Sequence, residues 1–316
     1  MLTKRRVMAI SGGVGGAKLA LGLSVVLDPR ELLIVANTGD DFEHLGLPIC
    51  PDIDTLMYTL AGVADPQRGW GLAGESWHCL EALRALDGPH WFALGDRDLA
   101  THLRRAELLR NGATLTAATA RLCAALGVRH AIVPMSDDPV RTIVETDRGR
   151  LAFQEYFVRE LCAPVVRRVL FEGGADARAS AAIADWLAPG SDCAVLICPS
   201  NPFLSVDPVL AVPGIRERLA TRPVVAVSPI VGGRALKGPA AKMMAELGLQ
   251  ASALDVARHY RGLVNGFVID TADAADAAAI RALGMEVLVT DTIMGTIEDK
   301  RRLATEAIDL LYRIAT

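Results

Sequence analysis

Apolar residues along this chain fall into short unbroken runs, separated by longer stretches in which they recur every three or four positions. The runs VMAI (7–10), LLIVA (32–36), AIVP (131–134), AVLIC (194–198), VVAV (224–227), FVID (267–270) and VLVT (287–290) are too short for helices. They lack polar alternation, which predicts strands covered on both faces. Between them, segments such as Ala17 to Leu27 and Ala272 to Leu283 have helical periodicity. Strand and helix in alternation predict an α/β fold, a doubly wound and mainly parallel sheet between two helical layers. The final segment places Leu303, Ala307, Leu310, Leu311 and Ile314 on one face. Thr296 and Asp299 offer a capping pair at its start, so a terminal helix is expected against the core.

Two regions break the alternation. Residues 60–128 carry helical patterns without a clear strand, which predicts a helical insertion. Residues 141–158 read as a β-hairpin turning at Asp147, Arg148 and Gly149. The chain has 316 residues, room for two average domains, but no linker-like tract and no repeat of fixed period. The expected organisation is one α/β unit over residues 1–316, with the insertion and the hairpin forming a cap over its cleft.

Composition narrows the function classes. Hydrophobic residues make up 51% and charged residues 22%, ample for a packed core and unlike a disordered chain. With 33 Lys and Arg against 37 Asp and Glu the net charge is −4, which argues against a nucleic-acid binder relying on a broad basic field. No apolar stretch approaches the roughly 20 residues that span a bilayer. The basic LTKRR runs directly into VMAISGG, where a secretory signal would need a longer apolar segment. A cytoplasmic protein without a membrane partner is expected. The six cysteines form no CxxC, so a disulfide framework or structural zinc is not expected.

In an open parallel sheet, ligands bind beyond the carboxyl ends of the strands, and four such junctions have suggestive chemistry. The first is Ser11-Gly12-Gly13-Val14-Gly15-Gly16-Ala17-Lys18, where glycines and a helix N-terminus suit a phosphate. It fits neither GxGxxG, because Lys18 stands where the third glycine belongs, nor a Walker A loop. The others are Asn37-Thr38-Gly39-Asp40-Asp41, Pro199-Ser200-Asn201-Pro202 and Ser228-Pro229-Ile230-Val231-Gly232-Gly233. Each alone is an ordinary turn composition. Together, after parallel strands, they would line one crevice suited to a nucleotide diphosphate.

Asp52 and Asp54 open an amphipathic helix, and with Asp40 and Asp41 they offer hard oxygen ligands of the kind magnesium takes. Helix capping is the compatible alternative. Trp70 and Trp77 can stack on a planar ring or fill the core of the insertion. Asp96, Arg97, Asp98, His102, Arg104 and Arg105 form a dense charged group, which by itself also reads as a solvated, ion-paired face.

In this order SGGVGGAKL, NTGDD, CPDIDTLMY, RGWG, LGDRDLATH, PMSDDPV, FQEYFV, PSNP, SPIVGG and KGPAAKMM resemble the 2-phospho-L-lactate transferase family of coenzyme F420 biosynthesis, over nearly the whole chain. The resemblance implies a Rossmann-like core, a magnesium cofactor and a homodimer. It implies that a guanosine-diphosphate-activated three-carbon acid (phospholactate, phosphoenolpyruvate or phosphoglycerate) donates its phosphate-linked acid to the primary hydroxyl of the deazaflavin Fo, with GMP leaving. By motif, Gly12, Gly13, Gly15, Gly16 and Lys18 of the glycine loop would hold the guanosine diphosphate moiety, as would Ser200, Asn201, Ser228, Gly232 and Gly233. Asp54 and Arg97 would contact Fo, with Trp70 closing over it. Asp54 would also orient or deprotonate the hydroxyl, and Asp40, Asp52 and Asp54 would form the metal neighbourhood. A competing expectation is a non-catalytic nucleotide-sugar-binding regulator of the gluconeogenesis-factor type, needing the nucleotide cleft but no deazaflavin pocket. A nicotinamide-dependent dehydrogenase ranks third, weakened by the broken glycine fingerprint.

Overall fold

A computed structural model describes residues 6–235 and 239–315. Lys237 and Gly238 of the KGPAAKMM motif lie outside the described residues. The strands, in chain order, begin with β1 (Arg6–Ser11), β2 (Leu32–Ala36), β3 (Phe42–His44), β4 (Leu47–Ile49), β5 (Ala131–Pro134), β6 (Arg141–Thr146) and β7 (Gly149–Ala152). They continue with β8 (Val166–Glu172), β9 (Cys193–Ile197), β10 (Val224–Val227), β11 (Ile230–Val231), β12 (Arg234–Ala235), β13 (Gly266–Asp270) and β14 (Glu286–Thr290). The first helices are α1 (Gly13–Val26), α2 (Pro51–Leu60), α3 (His78–Ala85), α4 (Asp96–Arg110) and α5 (Leu115–Ala125).

The seven apolar runs form one parallel sheet in the order β14-β13-β10-β9-β1-β2-β5. Alternate residues enter different cores. Met8, Ile10, Val195 and Ile197 join Ile183, Val209, Leu219 and Val256 on one side. Val7, Ala9, Ala194 and Leu196 join Leu19 of α1, Ile53 of α2 and Leu311 on the other. Two covered faces explain why these strands read as unbroken apolar runs. The chain runs from β1 outward to β2 and β5, then crosses back to continue through β9, β10, β13 and β14. The winding direction therefore reverses between β1 and β9, which places the ligand crevice of such a sheet at their carboxyl ends. Helix Ile297–Ile314 bears the expected capping box, with Thr296 accepting from Asp299 N and the Asp299 carboxylate accepting from Thr296 N. Among the described residues no helix is long and apolar enough to cross a membrane.

Residues 60–128 contain helices α3, α4 and α5 and none of the named strands. The hairpin expected at 141–158 is present only in part. Thr146 pairs with Gly149 across an Asp147-Arg148 turn, but the second strand ends at Ala152. From Phe153 the chain coils into helical turns, because Phe153 and Tyr156 lie on one side at that spacing and pack against Val144, Val166, Leu204 and Met243. A third strand, β8, pairs with β6 to complete a small antiparallel sheet. A further hairpin, β3–β4, turns at Leu45 and Gly46, both at positive φ (55° and 71°). Its three-residue strands carry no pattern that periodicity can detect.

Candidate active site

The loops after β1 and β9 are bonded to each other. Ser200 Oγ accepts from Gly12 N at 3.1 Å and donates to Gly12 O at 2.9 Å. A side chain at Gly12 is sterically excluded, since its Cβ would stand 2.5 Å from Asp52 Oδ2 and from Ser205 Cβ. Gly13 follows at φ 64°, a left-handed value, and starts α1 with open space beside it. Gly15 and Gly16 lie in the first turn of this 14-residue helix and Lys18 in the next, and the Gly12 N-cap has no side chain to close the helix end. Such an end presents backbone N–H groups and the positive pole of the helix dipole to an anion.

Asn201 caps the turn that follows β9, its Oδ1 accepting from Phe203 N at 3.0 Å and Leu204 N at 3.3 Å. Its Nδ2 is buried without a partner. Ser228 closes the turn after β10, donating to Ile230 O at 2.9 Å and accepting from Ile230 N at 3.1 Å. Gly232 and Gly233 form the tip between β11 and β12, where the Asp273 carboxylate accepts from Gly232 N at 3.1 and 3.0 Å.

Asn37, which opens the second junction but was given no role of its own, joins three of these loops. Its backbone N donates to Ser11 O at 3.3 Å. Its Nδ2 donates to Asp52 Oδ2 at 2.9 Å and Leu204 O at 3.2 Å, and its Oδ1 accepts from Gly39 N at 2.8 Å. Asp52, in the first turn of α2, also accepts from Gly13 N at 2.7 Å. These bonds hold the carboxyl down, but burial outweighs them and raises its pKa to about 6. Burial and the nearby Asp52 push Asp40 well above the carboxylate range. Burial likewise lifts Asp41 to about 8, against the pull of Cys50, Arg141 and Arg105. Asp40 Oδ1, Asp41 Oδ1 and Thr38 Oγ1 are buried without a partner. Unpaired acceptors crowded by like charge fit a hard divalent cation. Among the described residues no three acidic, His or Cys side chains form a ready-made ligand set.

The structure does not bring the three expected metal carboxylates together. Asp40 and Asp52 interact, whereas Asp54, two positions along α2, faces Arg105 of α4. One guanidinium nitrogen of Arg105 donates to Asp54 Oδ2 at 3.1 Å, and the other donates to Oδ1. His102 Nδ1 lies 3.1 Å from that first nitrogen. Its Nε2 lies 3.3 Å from Asp98 Oδ1, which accepts from the Tyr58 hydroxyl at 2.6 Å. Burial would raise Asp98, but His102, Tyr58 and Arg105 more than offset it and hold it below its usual value. Of the charged group around LGDRDLATH, Asp98, His102 and Arg105 are buried, whereas Arg97 and Arg104 remain exposed. Asp98, His102 and Arg105 at i, i+4 and i+7 share one helical face, a spacing that was available in the sequence.

Arg97 is exposed at the start of α4 and donates to Ala73 O at 2.7 Å. Neighbouring Asp96 accepts from Ser76 Oγ, His78 N and Cys79 N, capping α3. Trp70 is 44% exposed and meets Trp77 edge-on at 6.4 Å, with the Arg68 guanidinium over both rings. These two wide faces are on the insertion, whose helix α4 reaches α2 through Asp98 and Arg105.

A family model, 2-phospho-L-lactate transferase CofD, matches residues 7–302. The chain belongs to the 2-phospho-L-lactate transferase family. It is 39% identical to the phosphoenolpyruvate transferase of Streptomyces coelicolor over 98% of this chain and 99% of that one. It is 38% identical to the 2-phospho-L-lactate transferase of Methanosarcina mazei, over 94% and 98% of the respective chains. In fold it is similar to a member of the upf0052 family from Bacillus halodurans, with a TM-score of 0.62, 16% identity and coverage of 98% of this chain and 100% of the other. As a member of this family, the protein is a transferase of the phospholactate or phosphoenolpyruvate type, consistent with F420 biosynthesis.

Proposed function

We propose that this transferase moves a phosphate-linked three-carbon acid from its guanosine-diphosphate-activated form to the primary hydroxyl of Fo. GMP is released and (dehydro)coenzyme F420-0 is formed. The observation that carries this reading is the meeting of the loops after β1 and β9, where the winding reverses. There the N-terminus of α1, whose Gly12 and Gly13 N–H groups bond to Ser200 and Asp52, stands beside the unpartnered oxygens of Asp40, Asp41 and Thr38. Phosphoryl transfer requires positioning and charge neutralisation more than covalent assistance, and this crevice offers both.

The glycine loop (Gly12, Gly13, Gly15, Gly16), Lys18, Ser200, Asn201, Ser228, Gly232 and Gly233 are the proposed nucleotide contacts. Asp40 and Asp52 would hold magnesium, which when bound neutralises charge on the phosphates. The Fo hydroxyl oxygen forms its bond to the phosphorus that carries the acid, while the bond from that phosphorus to the GMP phosphate oxygen breaks. Asp54 orients that hydroxyl or takes its proton, since each oxygen engaged by Arg105 retains a further lone pair. Trp70 and Arg97 would cover the deazaflavin from the insertion.

The reading is tested by incubating purified protein with Fo, magnesium and each of the three guanosine-activated acids. Expected are equimolar GMP and a phosphodiester of Fo, identified by mass. Tight binding of a nucleotide sugar, with neither Fo binding nor GMP release, would replace this function with the regulatory one.

A further inference from the structure

Among the described residues Arg105 has the largest fully buried side chain, at 0% exposure. It comes from α4 in the insertion, while the carboxylate it grips belongs to α2 beside the glycine loop. We propose that Arg105, supported by His102, is a positioning residue for transfer, holding the Asp54 carboxylate in the orientation that meets the acceptor hydroxyl. This rests on the function proposed above.

Three features of the contact carry it. First, the grip is two-pronged: separate guanidinium nitrogens donate to the two oxygens of Asp54, fixing the plane of the carboxylate as well as its place. An ammonium group would supply charge without that plane. Second, the guanidinium is itself held. Pro48 O lies 3.4 Å from the nitrogen that also reaches His102 Nδ1 at 3.1 Å. His102 Nε2 comes within 3.3 Å of Asp98 Oδ1 without forming a hydrogen bond, and Asp98 accepts from Tyr58 at 2.6 Å. These contacts all join the same two helices, because Tyr58 and Asp54 are one turn apart on α2, whereas Asp98, His102 and Arg105 share a face of α4. Third, stability alone does not call for a charged pair here. Apolar residues of similar volume bury in such a position at equal or lower cost, so a buried Arg–Asp pair is weak evidence of a stabilising role. What this one does supply is a carboxylate fixed in direction, joined to the helix that carries Arg97.

The test compares wild type with Arg105→Lys and His102→Gln by steady-state transfer to Fo in magnesium, GDP affinity by calorimetry, and thermal melting. For Arg105→Lys the expected result is a fall in kcat on the order of 10–100-fold, the usual consequence of a reacting group displaced by about an ångström. GDP affinity is expected to stay at the wild-type value. His102→Gln should lower kcat in the same direction by a smaller factor, and it serves as the deciding variant if Arg105→Lys does not fold. A lowered melting temperature with wild-type kcat per folded molecule and wild-type KM for Fo would overturn the proposal, leaving Arg105 a structural residue. Wild type that transfers nothing from any of the three donors would instead overturn the function on which it rests.

Discussion

Asp41 and Asp52 keep their protons to a pH unusual for carboxyl groups, and burial is the first cause in both. Because their folded pKa values lie above the unfolded one, the folded state binds more protons, and stability falls as pH rises. The window runs from about 4 to about 6 for Asp52 and from about 4 to about 8 for Asp41. In cation-free buffer, Asp41→Asn should therefore gain on wild type in melting temperature as pH rises from about 6 to 8. Added magnesium should shrink that gain by stabilising the wild type. Parallel melting curves for the two proteins across this range would contradict the assignment. At this scale the sequence was half legible. Its junction motifs singled out Asp40, Asp52, Ser200 and the glycines. It did not reveal that Asn37 ties Asp52 to the loops after β1 and β9, or that Arg105 is turned inward. Asn is ordinary in turns and Arg is ordinary on surfaces, so only their partners distinguish them.

Elements were legible in proportion to how much local pattern they carry. The seven central strands are apolar on both faces and short, a signal that few other structures produce. The final helix combines a strong apolar stripe with a capping box in which both bonds form. Thr296→Ala removes one of them and should cost about 1 kcal/mol in denaturant unfolding, with turnover unchanged. Destabilisation beyond about twice that cap value would mean that the helix start has a tertiary role. The missed elements are short or context-dependent. Hairpin β3–β4 has three-residue strands, and the turn at Phe153–Arg159 becomes helical because Phe153 and Tyr156 find a pocket between β6, β8 and Met243. That pocket is assembled from segments up to 99 residues apart in sequence (144 to 243).

Across the whole molecule, the crevice is a product of winding: β1 and β9 are neighbours although about 180 residues separate them, and their loops meet only because the chain reverses there. If nucleotide and cation bind this crevice together, GDP with magnesium should raise the melting temperature by more than the sum of the separate shifts. At 100 times the dissociation constant the stabilisation would be about 2.7 kcal/mol. Asp52→Asn should abolish the excess over additivity, and its survival would move the cation elsewhere. Layer architecture, strand identity and the phosphate-suited loops follow from local composition and periodicity, which the chain carries at short range. The pairing of Asp54 with Arg105, the convergence of Asp40 with Asp52 and the joining of insertion to core depend on which distant residues share a buried volume. Burial changes a charge or an amide from an ordinary surface group into one that must find a partner, and that partner is set by packing rather than by sequence neighbours.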